Sequence, residues 1–225
     1  MDKLKIGLIH ATMNSVGPIL ESFSSTNENV DLVNFMDEGL IYELNETNTV
    51  TTRMILRLSE LAGKAVESHV DAILFTCSSF TPFVPKIAEL VSVPVLSSDI
   101  SMLEKAVELS EKINVIATVN AAGPTTKRMI EEVAKQKGKE VTVEARVLTE
   151  AFEALQKGNP KKHDQLIQRE IENIGNDDVT VLAQYSMARA VANDNLMFDH
   201  VLTGPQVSAE AIINLAREYR ERRMT

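Results

Sequence analysis

Val70-Asp71-Ala72-Ile73-Leu74-Phe75-Thr76-Cys77-Ser78-Ser79 is the stretch on which the reading of this chain turns. Its apolar centre is of strand length and rich in large side chains. Such a run suits a strand buried on both faces of a parallel sheet. It stops abruptly at small polar residues and at Cys77, the only cysteine in the chain. Open parallel sheets bind ligands outside the carboxyl ends of their strands. Cys77 therefore falls where such a sheet would do chemistry, although a lone cysteine is more often a small buried hydrophobe.

Working outward, strand-length apolar runs alternate with segments of helical period. Residues 4–10, 30–35, 70–76 and 93–96 read as strands, and 16–23, 52–66, 83–91 and 99–110 as helices. In the 52–66 segment Ile55, Leu58, Ala62, Ala65 and Val66 share one helical face. The same order then returns. Strands are expected at 113–119, 141–147, 179–185 and 200–203, and helices at 125–137, 150–156, 161–174 and 207–222. Strand starts in the second half trail those in the first by about 110 residues, too long a period for a solenoid. The pattern predicts an α/β fold of two similar Rossmann-like or flavodoxin-like αβα units. Each unit would hold a four-stranded parallel sheet, and a pseudo-two-fold axis would relate them. The first unit is expected to span 1–97 with 206–225, and the second 98–205.

Four strand-end loops carry the candidate site residues. The first ends in His10 and Thr12, and the third in Thr76, Cys77, Ser78 and Ser79. The second unit supplies Thr118, Asn120 and Thr125, then Gln184, Tyr185 and Ser186. Laying Ile73–Ser78 over Val181–Ser186 makes Cys77 and Tyr185 equivalent and predicts that both face one cleft. Hydroxyls and backbone N–H groups there would cradle a carboxylate.

The segment Val70–Ser79, a strand ending in Cys and then small hydroxyl residues, resembles the first cysteine motif of the aspartate/glutamate/hydantoin racemase superfamily. Val181–Ser186 resembles the second. The two-unit plan and spacing extend the likeness over nearly the whole chain. The resemblance implies proton transfer at the α-carbon of a small carboxylic acid, with no cofactor and no metal. In that family two thiols work on opposite faces of the substrate. Carried over by position, Cys77 is an acid/base. Ser78, Ser79, Thr118 and Asn120 hold carboxylate, with Thr12, Thr76, Thr125, Gln184 and Ser186 beside them. Such chemistry calls for preorganised donors around a developing negative charge and for a thiol pKa lowered toward working pH. A helix starting just after Cys77 would favour the thiolate.

The chain departs from the family pattern in two places. Its second motif has no cysteine, which excludes a symmetric two-thiol racemase. Tyr185 is taken as the residue in its stead, and a phenol is a poor base at neutral pH. The first strand ends His10-Ala11, where many glutamate racemases carry Asp-Ser; His10 is kept as a candidate catalytic group on the opposing face. Single-thiol relatives include decarboxylases that protonate a carbanion and cis–trans isomerases that add a thiol to a double bond. A non-catalytic carboxylate-binding or sensor protein, and a generic flavodoxin-like domain, stay open as alternatives.

Composition narrows the classes further. A formal net charge of −9 argues against nucleic acid as a partner. No stretch approaches the ~20 apolar residues of a membrane span, and the first residues do not read as a signal peptide. A cytoplasmic location is expected, and the family's behaviour implies a homodimer. The motifs G-x-G-x-x-G and G-x-x-x-x-G-K-[ST] are absent, and His69, His163 and His200 have no ligand spacing. The basic run Arg217–Arg223 reads as cations complementing the end of a helix.

Overall fold

The computed structural model describes residues 3–26, 28–120, 122–192 and 198–224. The chain divides into two compact units, Met1–Ile100 with Pro205–Thr225 and Ser101–Gly204.

The first unit contains strands β1 (Leu4–His10), β2 (Val30–Met36), β3 (Ala72–Phe75) and β4 (Val95–Ser97), all parallel, in the order β2-β1-β3-β4. Helices α1 (Val16–Ser25), α2 (Gly39–Thr47), α3 (Thr52–Glu67) and α4 (Val84–Ala88) connect them. Every residue of β3 is buried, as expected of a strand covered on both faces. Helix α3 shows how the sequence enforces this. Thr51 caps it by accepting the Met54 N–H at 3.3 Å, an interaction worth about 1 kcal/mol. Met54, Leu58, Ala62 and Ala65 recur at helical spacing and are all buried. The helix ends at Ser68, followed by His69 in a left-handed conformation (φ 57°). Gly7 lets α3 lie close to β1, since a Cβ there would meet the Ala65 Cβ at 3.2 Å.

The second unit repeats the plan. Strands β5 (Lys112–Ala117), β6 (Thr142–Val147), β7 (Val179–Leu182) and β8 (Val201–Thr203) form a parallel sheet in the order β6-β5-β7-β8. Helix α5 (Ile100–Leu109) leads in, and α6 (Ala122–Gln136), α7 (Thr149–Gln156) and α8 (Pro160–Ile174) flank the strands. A core of Ile116, Ala151, Ile167, Ile171, Leu182, Met187 and Ala190 fixes α7 and α8 to the sheet. Each fully buried aliphatic side chain of this kind contributes roughly 1.5–3 kcal/mol.

Helix α9 (Gly204–Met224) closes the chain on the first unit. Tyr219 packs against that unit's core. Arg220 pairs with Asp71 and donates to the Lys3 carbonyl at 2.8 Å, while Arg217 pairs with Glu28 at 3.1 Å. Part of the basic run is thus a set of specific anchors rather than only a complement to a helix end.

The sequence reading left residues 37–50 without an element, yet α2 lies there. Only Leu40 and Leu44 of this helix are buried, so its apolar stripe is too narrow for a period to register.

Candidate active site

In the first unit the carboxyl ends of β1 and β3 are tied by a buried polar network. The His10 Nε2 lies 2.9 Å from the Asn34 Oδ1, which can only accept, so the proton sits on Nε2. The Nδ1 is then an acceptor, with the Thr76 hydroxyl at 2.8 Å and the Ser15 hydroxyl at 3.2 Å. Ser15 has one proton and donates it to the Thr12 carbonyl at 2.9 Å, which leaves Thr76 as the donor to Nδ1. Thr12 itself caps the short 3-10 turn Met13–Ser15. Burial lowers the His10 pKa, opposed by the bond to Asn34. His10 is 0% exposed and both ring nitrogens are engaged. It is buried and holds Thr76 and Asn34 through its two ring nitrogens.

Cys77 follows Thr76 and is partly buried. A 3-10 helix, Ser78–Phe83, starts immediately after it. The expected lowering of the thiol pKa by a helix start is not what results. Burial pushes the Cys77 thiol up to about 11, the charge of Asp99 adds to the rise, and the Ser79 N–H and hydroxyl oppose it. A helix of six residues brings only a small dipole to bear against that desolvation. At neutral pH Cys77 rests as a thiol.

Asp99, the first residue of the helix expected over 99–110, belongs to this cluster. It lies after β4, is 3% exposed, and its Oδ1 accepts from the Ser98 hydroxyl and from Thr81 at 2.8 Å. Burial pushes its pKa up to about 6 against these two bonds. An acidic residue at the carboxyl end of the fourth strand, level with the cysteine loop, is the signal that could have marked it.

In the second unit the corresponding loops follow β5 and β7. Thr118, 1% exposed, donates its N–H to the Gln184 Oε1 at 2.9 Å and its hydroxyl to the same oxygen at 3.3 Å. Asn120 is exposed, and Thr125 lies half-buried in the first turn of α6. Tyr185 is buried and opens the 3-10 helix Tyr185–Val191; Ser186 is half-buried.

The strand registers correct the expected equivalence of Cys77 and Tyr185. Ile6 pairs with Ala72 in the first sheet, and Ile113 with Val179 in the second. Five residues beyond Ala72 stands Cys77; five beyond Val179 stands Gln184. Loop hydrogen bonds agree. Thr76 donates to the Ile9 carbonyl as Ala183 does to that of Ile116, and Phe80 donates to the Cys77 carbonyl as Met187 does to that of Gln184. Gln184 therefore holds the place of Cys77, and Tyr185 that of Ser78. The alignment by apolar pattern slipped by one residue, which in a strand exchanges the two faces.

Residues 37–211 match the pattern of the Asp/Glu/hydantoin racemases. The chain belongs to that family. Among solved structures it is similar to an aspartate racemase homologue from Pyrococcus horikoshii, at 18% identity and TM-score 0.71, with 95% of this chain and 99% of that one covered. It is also similar to the aspartate racemase of Picrophilus torridus, at 14% identity and TM-score 0.72, covering 97% and 98%. A third is the glutamate racemase of Francisella tularensis in complex with D-glutamate, at 15% identity and TM-score 0.71, covering 98% and 83%. No curated protein matches the sequence. Within this racemase fold the strand-end loops of each unit gather the candidate residues: Thr76, Cys77, Ser78, Ser79 and Asp99 in the first, Thr118 and Gln184 in the second. Among the described residues no helix is long and apolar enough to cross a membrane. Nor does any group of three or more His, Cys, Asp or Glu side chains among them offer a metal site.

Proposed function

We propose that this racemase-family protein is an isomerase acting on a small carboxylic acid by proton transfer at the α-carbon, with Cys77 as the acid/base. The observation that carries the reading is the place of Cys77: a partly buried thiol just after β3, opening the 3-10 helix Ser78–Phe83, in a loop whose Thr81 bonds the buried Asp99 at 2.8 Å. Ser78 and Ser79 in the first unit, with Thr118, Asn120, Thr125 and Ser186 in the second, are the proposed carboxylate ligands. Tyr185, buried beside Gln184, is kept as a proton or hydrogen-bond donor rather than as a counterpart of Cys77. The substrate is bound from solution by a soluble protein that needs neither nucleic acid nor membrane, and a homodimer is the proposed state.

The resting thiol also favours a second reading. A thiol that rests protonated has a proton to deliver to a carbanion, whereas it must first lose that proton to take one from carbon. That suits a lyase in which loss of CO₂ leaves a carbanion-like state and Cys77 protonates it, after which solvent reprotonates the thiolate.

The test is isotopic. Aspartate, glutamate and small α-substituted malonates are incubated with enzyme in D₂O, and α-deuterium and CO₂ are measured. Deuterium gain without CO₂ supports the isomerase, and CO₂ with one deuterium supports the lyase. Cys77→Ser should lower either rate at least 100-fold, the scale expected of a positioned acid/base. A Cys77→Ser variant as fast as wild type would remove Cys77 from the chemistry. Ligand binding without any turnover would make the protein a carboxylate binder instead.

A further inference from the structure

The family's chemistry needs two acid/base groups for inversion, and the second unit offers none at the matching place. Gln184 stands there, and a primary amide neither gives nor takes protons at neutral pH. Its orientation is set. The Thr118 N–H and hydroxyl both point at one amide atom, which must then be the oxygen. That leaves Nε2 as the free end, and it is buried without a partner among the described residues. Three other buried side-chain atoms share that condition, those of His163, Thr180 and His200. None of them is in a strand-end loop: Thr180 is inside β7, His163 on α8, and His200 precedes β8. A buried donor without an acceptor costs about 1–3 kcal/mol. Gln184 tolerates that cost at the one end of the sheet where ligands bind. A donor already stripped of water loses nothing more when an acceptor arrives, so its full bond to an anion is realised on binding.

We infer that the Gln184 side-chain amide is a specificity-determining donor to a carboxylate oxygen of the substrate, so that the second unit contributes binding where its relatives' plan places an acid/base. This rests on the carboxylate reading proposed above.

The probe is malonate, with succinate beside it to read chain length, titrated into the full chain labelled with ¹⁵N. The Gln184 side-chain amide protons should shift on binding. Gln184→Glu keeps an oxygen for Thr118 but exchanges the donor for an anion. It should weaken malonate more than 10-fold at neutral pH and recover as the pH falls. Gln184→Ala should weaken it about 10- to 100-fold, the range of a hydrogen bond to a charged group. Far-ultraviolet dichroism on each variant separates loss of the donor from loss of the fold. Unchanged affinity in a folded Gln184→Glu, or no binding of either diacid by wild type, would overturn the inference. Failure of the catalytic reading looks different: the Gln184 amide still shifts and Gln184→Glu still fails to bind, but no deuterium enters the ligand.

Discussion

Replacing Asp99 with Asn should stabilise the protein at neutral pH and not in acid. Asp99 is 3% exposed, and burial raises its pKa from 3.8 to about 6. Between those values the unfolded chain releases the proton and the native protein keeps it. Stability is therefore fully present below pH 3.8 and is lost as pH rises through about 6, with the deficit persisting above. The rise from 3.8 to about 6, at roughly 1.4 kcal/mol per pH unit, makes the deficit about 3 kcal/mol. Asn is isosteric, and its oxygen can still accept from Ser98 and Thr81, so the change removes the charge and leaves the bonds. Urea unfolding of wild type and Asp99→Asn at about pH 4 and about pH 7.5 measures this directly. The variant should gain up to about 3 kcal/mol at the higher pH and close to nothing at the lower. Removing the Asp99 charge also removes one contribution to the raised Cys77 pKa, so alkylation of Cys77 by iodoacetamide should quicken at fixed pH. Equal gains at both pH values, or no gain at neutral pH, would refute the picture of a strained buried carboxylate beside the thiol. The cluster trades stability for a charge held close to the sulfur, a trade found at functional sites more than in inert cores.

The other predictions are simpler. His10→Ala should cost roughly 2–4 kcal/mol in chemical denaturation, since it opens a cavity and removes the His10 bonds to Thr76 and Asn34. Because burial lowers the His10 pKa, wild type should lose stability as pH falls below 6.5, and the variant should lack that component; an unchanged pH profile would contradict the assignment. Arg220→Ala leaves Asp71 only 15% exposed without its ion pair and frees α9 from the Lys3 carbonyl. A loss of about 1–2 kcal/mol is expected in thermal unfolding, and an unmoved midpoint would show that α9 is held by its apolar face alone. Cys77→Ser, besides its effect on turnover, should leave malonate binding within about 3-fold of wild type, because a serine of nearly the same size keeps the donors around it.

The elements that read well from sequence are those with strong local periods. β3 is apolar at every position and α3 buries residues at regular helical spacing, so each announces itself. Cys77 was found because the polar end of an apolar strand is a local signal as well. Helix α2, with two buried residues, carries too little pattern. Asp99 carries no such local mark, because what distinguishes it is contact with Thr81, 18 positions earlier, and the charge it presents to Cys77. His10 was read as a candidate catalyst because nothing nearby in the chain reveals that Asn34 and Thr76 occupy its two nitrogens.

From its residues alone this protein is an alternating α/β chain of two like halves with one thiol at a strand end, because periodicity and residue type are properties of short segments. Which residue of the second half answers to that thiol, whether the thiol and Asp99 hold their protons, and which amide hydrogens lack an acceptor were decided only by the tertiary structure. Strand register and desolvation arise between segments far apart in the chain. A slip of one position, invisible in an apolar pattern, exchanges a phenol for an amide.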